Sequence, residues 1–367
     1  MTLSRHSRIG AAAFVGAVAL ALTACGSSGG TGASTTGASK APSLSGELNG
    51  AGASSQESAM AAWRAGFQSL NSGATVNYDS VGSGGGRTQF LAGGVSFAGT
   101  DAALSADELA KAKTLCGTDP VELPVYISPI VVIFSLPGIT KLQMAPATIA
   151  KIFDAKITNW NDPAIAADNP GVTLPNLAIT TVHRSDDSGT TKNFTDYLSK
   201  AAADSWSYGA VSTWASKTGE GANGTTGVVS TVQSGSGAIG YADASKAGTL
   251  GTVAIKVGNA YVPFSAEAAA KVVDISPRDT TRAATDIVMK LDRTTTEAGA
   301  YPMVLVSYIV ACPKYSDVKT APLVHGFLAY VVSEAGQNAA ASAAGSAPLS
   351  AALRADATKA VDTIGAS

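Results

Sequence analysis

Past the first 45 residues, apolar residues recur along this chain with two periods that take turns, one helical and one extended. Met60, Trp63, Phe67 and Leu70 stand three or four residues apart and predict an amphipathic helix, followed by a strand over 76–81. The stretch 126–136, bounded by Pro124 and Pro137, is almost continuously apolar, as in a strand covered on both faces. A second such run, 303–311, lies far down the chain. Phe194, Tyr197 and Leu198 mark the inner face of a helix starting near Thr190, and the alanine-rich stretch 339–360 predicts a final helix whose limits the pattern does not fix. Strands and helices in alternation indicate an α/β fold.

The 367 residues exceed what one hydrophobic core usually serves, so two domains are expected. Hydrophobic residues make up 46% and charged residues 14%, which supplies a core and argues against disorder. With 25 Lys and Arg against 27 Asp and Glu, the net charge is -2, and no long basic run exists. Nucleic acid is thereby excluded as a partner, because its backbone demands a concentrated positive surface. An anion would have to be held by local hydrogen bonds rather than by the overall field.

Arg5, His6 and Arg8 precede an apolar run, 9–22, that is too short to span a bilayer comfortably as a permanent helix. Leu22-Thr23-Ala24-Cys25 then matches the bacterial lipobox, in which the cysteine receives a diacylglycerol. Residues 1–24 are read as a lipoprotein signal peptide, Cys25 as the lipidation point, and the Gly-, Ser-, Thr- and Ala-rich stretch 25–45 as a flexible tether. The expected location is the outer face of the cytoplasmic membrane, with the lipid as the only membrane contact. Export to an oxidising compartment leaves two readings for Cys116 and Cys312, a disulfide or two separate buried thiols.

Three short polar loops, each with glycine and hydroxyl residues, stand immediately before helical patterns: 50–55, 81–86 and 184–190. A helix start presents unpaired amides and the positive end of the dipole, so it binds oxyanions without formal charge. Glycine admits a ligand to the main chain, and each hydroxyl adds a donor. Each loop also has a purely structural reading. Ser54-x-x-Glu57 is a capping box, Asp187 or Ser188 can cap the following helix, and Gly82 to Gly86 can be a simple turn. Arg184 and Asp101 add the two charged groups that favour the anion reading: a planar fork of donors, and an acceptor that makes sense only if the ligand carries a proton.

Enzymatic readings have less material. Gly26-Ser27-Ser28-Gly29-Gly30 fits G-x-S-x-G but lies in the tether. Lys217-Thr218-Gly219 and Ser316-x-x-Lys319 stand in the wrong order for a β-lactamase, and three histidines, His6, His183 and His325, offer little for a metal cluster or a triad. Gly235-x-Gly237-x-x-Gly240 continues poorly into a helix, which favours a closely packed strand over a dinucleotide site. No cofactor is expected.

The chain resembles the phosphate-binding protein of the bacterial high-affinity phosphate ABC transporter. The resemblance runs through Leu48-Asn49-Gly50-Ala51-Gly52-Ala53-Ser54, Val76-Asn77-Tyr78, Gly82-Ser83-Gly84-Gly85-Gly86, Phe97-Ala98-Gly99-Thr100-Asp101, Lys156-Ile157-Thr158-Asn159-Trp160-Asn161-Asp162, Arg184-Ser185-Asp186-Asp187-Ser188-Gly189-Thr190 and Gly237-Ala238-Ile239-Gly240-Tyr241. It implies a two-lobed periplasmic-binding-protein-like fold of type II, with lobe I formed by 46–126 plus 302–367, lobe II by 127–301, and a two-strand hinge. It implies inorganic phosphate as ligand, ABC transporter permease subunits as partners, and no enzymatic activity. By motif, Ser54, Ser55, Ser83, Arg184, Ser188, Gly189 and Thr190 would donate to phosphate, while Asp101 would accept its proton and pair with Arg184. Ser54 replaces a threonine common in relatives and Ser55 an aromatic residue, so only the main-chain amide of Ser55 carries over. The hinge matches 124–127 and 301–303, which puts Cys116 and Cys312 in one lobe, where a bridge can form. Another tetrahedral oxyanion, such as sulfate, is the alternative ligand.

Overall fold

The computed structural model describes residues 43–365; the signal peptide, Cys25 and most of the tether lie outside them. Leu44 already belongs to the fold, its amide donating to Asn71 Oδ1 at 3.0 Å. The first part of the chain runs β1 (Ser45–Gly52), α1 (Glu57–Leu70), β2 (Gly73–Asp79), α2 (Ser83–Leu91), β3 (Phe97–Thr100), α3 (Ala106–Cys116) and β4 (Val121–Phe134). It continues through β5 (Lys141–Met144), α4 (Pro146–Phe153), α5 (Pro163–Asp168), β6 (Thr180–Arg184), α6 (Gly189–Ala201), β7 (Glu220–Ala222), α7 (Gly224–Ser234) and β8 (Ala238–Asp243). The remainder is β9 (Gly251–Val257), β10 (Ala260–Val262), α8 (Ala266–Ile275), β11 (Val304–Ala311), α9 (Thr320–Val332), α10 (Glu334–Ala344) and α11 (Ala351–Val361). From Pro42 onward these elements gather into one unit.

One mixed sheet runs in the order β2-β1-β3-β11-β4-β8-β6-β7. Parallel β1, β2 and β3 alternate with α1 and α2, the arrangement in which each helix covers the face of the strands it connects. Strand β4 is buried at all 14 positions, which accounts for its unbroken apolar run. It pairs with β11 from Val121 to Pro129 and with β8 from Ile130 to Phe134, so a single strand carries the chain from one half of the sheet to the other. Pro124 has no amide to give the β11 ladder, and the register shifts opposite it, between Ser307 and Tyr308. That shift matters for the site below.

Met60, Trp63 and Phe67 face the core, and the Trp63 indole donates to Gly336 O of α10; Leu70 ends α1 exposed. The predicted final helix is two helices. Gly345 takes a left-handed conformation (φ 64°) that ends α10, Pro348 cannot extend a helical ladder, and Ser350 caps α11 by accepting from the Leu353 amide. The Gly235–Gly240 run leads into β8, where Gly237 O accepts the Trp160 indole, so this motif is structural.

Cys116, at the end of α3, and Cys312, just past β11, are joined in a disulfide that spans 196 residues. Closing so long a loop should contribute about 5 kcal/mol. The double Cys116→Ser, Cys312→Ser variant is expected to melt about 7 °C lower, given the unfolding entropy of a chain this size. An unchanged midpoint in calorimetry would remove this stabilising role.

Candidate functional site

Four helix starts meet at the middle of the sheet, and each is positioned by the turn that precedes it. Ala53 leaves β1 and is followed by one 3-10 turn, Ser54–Gln56, before α1. The capping box expected of Ser54 and Glu57 is not made. Ser54 Oγ instead accepts from the Thr225 amide (3.1 Å) and is hydrogen-bonded to Thr225 Oγ1 (3.0 Å), at the start of α7. Glu57 pairs with Lys246 (2.8 Å). Ser55 Oγ donates to Asp101 Oδ1 at 2.6 Å, so its side chain takes part as well as its amide.

Ser83 opens α2, and its hydroxyl accepts the Asp101 amide at 3.1 Å. Ser188 caps α6 by accepting from the Thr191 amide (3.1 Å), which fulfils the structural reading and leaves its own proton to donate. Gly189 follows with no room for a side chain: a Cβ there would lie 2.5 Å from Ser83 Oγ and 2.6 Å from Asp101 Cβ. Thr190 Oγ1 donates to Asp101 Oδ2 at 3.0 Å. The amides of Ser54, Ser55, Ser83, Gly189 and Thr190 stand in first turns, where no intrahelical acceptor reaches them, and no other acceptor among the described residues bonds them.

Arg184 ends β6 fully buried, but it does not pair with Asp101. Its guanidinium forms a two-pronged pair with Asp186, Nε to Oδ1 at 2.7 Å and Nη2 to Oδ2. The turn sets the Asp186 carboxylate edge-on to the fork, a fit that a single oxygen of Asp101, already taken up by hydroxyls, cannot match. Burial alone would raise Asp186, yet the Arg184 bond and charge and the Gly224 amide outweigh it and hold this carboxyl below its usual value.

Asp101 is the centre of the arrangement. Burial pushes its carboxyl above the ordinary value, against bonds from Ser307, Ser55 and Thr190 and the charge of Arg184. Oδ1 accepts from Ser55 and from Ser307 (2.5 Å), while among the described residues Oδ2 accepts from Thr190 alone. All eight residues named from the sequence are therefore gathered here, with Arg184 reaching Asp101 only through its field. The assembly offers hydroxyls, first-turn amides and one guanidinium as donors, and, with Asp186 taken up by Arg184, the Asp101 carboxylate as acceptor. That is the complement of a small tetrahedral oxyanion that keeps one proton.

The PBP superfamily domain matches residues 31–335. The phosphate-binding protein PstS 3 of Mycobacterium tuberculosis is 35% identical over 334 residues, covering 88% of this chain and 90% of its own length. Its namesake in Mycobacterium leprae is 34% identical over 346 residues, with 90% and 92% covered. The chain belongs to the phosphate-binding protein family. Among solved structures, a periplasmic phosphate-binding protein (PfluDING) bound with phosphate superposes with a TM-score of 0.70 at 21% identity, over 84% of this chain and 92% of its own. A phosphate-binding protein from Stenotrophomonas maltophilia gives 0.65 at 19%, over 86% and 94%. Both share the two-lobed fold of the family.

Within this family member, four groups at the site were not apparent from the motifs. Thr225 holds Ser54, and Asn193 donates to Asp101 O (2.6 Å) and to Gly189 O (3.0 Å). Ser307 bonds Asp101, and Gln56 bonds Ser307 at 2.6 Å. Thr225 had a readable signal, since Asn223-Gly224-Thr225-Thr226 repeats the design of the other three helix starts. Ser307 is a polar residue inside an apolar strand.

Proposed function

We propose that this protein captures inorganic phosphate outside the cytoplasmic membrane, between two lobes, and delivers it to the permease subunits of an ABC transporter without chemical turnover. The observation that carries this reading is Asp101. A fully buried carboxylate beside a ring of oxyanion donors would repel any ligand that has no proton to share, and phosphate near neutral pH has one. Ser54, Ser55, Ser83 and Asp101 are assigned to lobe I, and Arg184, Ser188, Gly189 and Thr190 to lobe II, so that the ligand is grasped from both sides. Strand β4, which crosses between the two halves of the sheet, would serve as one hinge strand. Calorimetry with phosphate and then with sulfate tests the assignment: tight phosphate binding and negligible sulfate binding are expected, and the reverse order would replace it with a sulfate carrier.

Membrane attachment is assigned to a lipid on Cys25. Among the described residues no helix is long and apolar enough to cross a membrane. The Cys25→Ala variant should accumulate as unprocessed precursor while its folded domain binds phosphate normally; lipidated mature protein from that variant would remove the anchor.

A further inference from the structure

We propose that Ser307, with its proton direction fixed by Gln56, sets Asp101 as an acceptor and is thereby a specificity-determining residue of the anion site. The inference rests on the reading of Asp101 as the group that takes a proton from phosphate. It starts from an amide whose orientation is not open to choice. Gln56 is fully buried, and its Nε2 has two protons and two acceptors, Tyr308 O at 3.0 Å and Ser307 Oγ at 2.6 Å. A carbonyl oxygen cannot donate, so Tyr308 O fixes the NH2 end of the amide on this side. Ser307 Oγ must then accept from Gln56, and its single proton is left for Asp101 Oδ1 at 2.5 Å.

The location of Ser307 follows from the backbone. It stands in β11 where the register with β4 shifts opposite Pro124, within a strand whose residues are otherwise apolar or aromatic. An alanine would fill this strand position as well for packing purposes, so the hydroxyl has a polar task. With Ser55 and Ser307 both donating to Oδ1, that oxygen is occupied. Oδ2, bonded among the described residues only by Thr190, keeps a lone pair free to accept a ligand proton.

Each hydroxyl bond to an ionised carboxylate favours its charged form and opposes the upward push of burial. The other groups facing Asp101 are Arg184 on β6 and Tyr78 on β2, and, along the adjoining cleft, Lys192, Asp196 and Lys200 on α6 with Lys290 and Arg293. All of these stay in place when Ser307 is changed, so a shift in the variant reads the lost hydroxyl.

The test is the pH dependence of two affinities, measured by calorimetry for phosphate and for sulfate from pH 4.5 to 8. Sulfate has no proton in this range and binds well only when Asp101 is protonated, so its affinity rises as pH falls through the Asp101 titration. Phosphate binding weakens over the same interval. In Ser307→Ala the carboxyl loses a donor and holds its proton to higher pH. Both profiles should move upward by roughly one pH unit, so that sulfate is bound about tenfold more tightly on the alkaline side of the transition and phosphate about tenfold less tightly on its acid side. General damage to the site would weaken both anions together. Ser307→Thr keeps the hydroxyl and should restore the native profiles. Gln56→Leu, which frees the Ser307 proton to turn away, should shift them in the same direction as Ser307→Ala but less far. Superimposable profiles for the native protein and Ser307→Ala would overturn the inference, as would a parallel loss of both affinities. Asp101→Asn separates the two levels: if it keeps full preference for phosphate, the reading of Asp101 itself fails, and if it loses preference while Ser307→Ala is unchanged, only the role of Ser307 does.

Discussion

Arg184→Ala should lose phosphate affinity by on the order of 10³-fold, the effect of breaking a buried charged pair and withdrawing a charge-assisted donor from an anion at once. The structure adds a second component that the motif did not suggest. Because the guanidinium is paired with Asp186 rather than Asp101, its removal leaves a largely buried carboxylate at the edge of an anion site with backbone amides, Gly224 at 3.1 Å among them, but no cation to balance it. Part of the loss is therefore repulsion by Asp186, and the double variant Arg184→Ala, Asp186→Ala should recover about tenfold over the single one. Arg184→Lys cannot reproduce two parallel bonds and should fall between native and alanine. Titration calorimetry at fixed ionic strength measures all four proteins. A drop below tenfold for Arg184→Ala would place the guanidinium outside the binding event, and a double variant no better than the single one would deny Asp186 any repulsive part.

How much of this was legible in the chain depends on the distance over which each residue acts. Ser83, Ser188 and Thr190 could be picked out because glycine and hydroxyl residues just before a helical pattern have a local meaning, and local meaning survives in sequence. The same is true of the 126–136 and 303–311 runs, whose apolar continuity reports burial on both faces. The cross-sheet partners carry no such mark. Ser54 has a capping-box spacing that predicts a local bond to its own helix, yet the helix start of α7, 171 residues away, takes its hydroxyl instead. Asp186 was in view within the 184–190 motif, but which carboxylate meets Arg184 is decided by the turn between them, and spacing alone does not give that geometry. The final helix was misread for a different reason: uniform alanine content masked Gly345 and Pro348, whose positions mark an end and a restart.

The largest selectivity effect should come from Asp101→Asn. Apart from Asp186, whose carboxylate is taken up by Arg184 and the Gly224 amide, the side chains named at the site can donate, so a sulfate ion and a phosphate ion of similar size would be nearly equivalent to it but for Asp101. A closed site that leaves a buried acceptor facing an unprotonated oxygen can discriminate by about 10⁴-fold, the range seen where a buried polar group loses its partner. The native protein should therefore prefer phosphate over sulfate by about that factor near neutral pH. In the asparagine variant the two hydroxyls of Ser55 and Ser307, both donating to the Oδ1 position, select the amide orientation that keeps a carbonyl oxygen there. The NH2 group is then forced to the Oδ2 position, toward Thr190 and the ligand, where it is a donor. Sulfate gains a hydrogen bond and loses a repulsion, while phosphate can still present an unprotonated oxygen to the same NH2. Preference should fall from about 10⁴-fold to within tenfold, chiefly through tighter sulfate binding rather than loss of phosphate. Competition calorimetry with both anions against both proteins, at one pH and one ionic strength, reads the two ratios. A native protein that binds sulfate as tightly as phosphate would show that the ligand proton is not read at all, and an asparagine variant that retains the native ratio would show that it is read by some group other than Asp101.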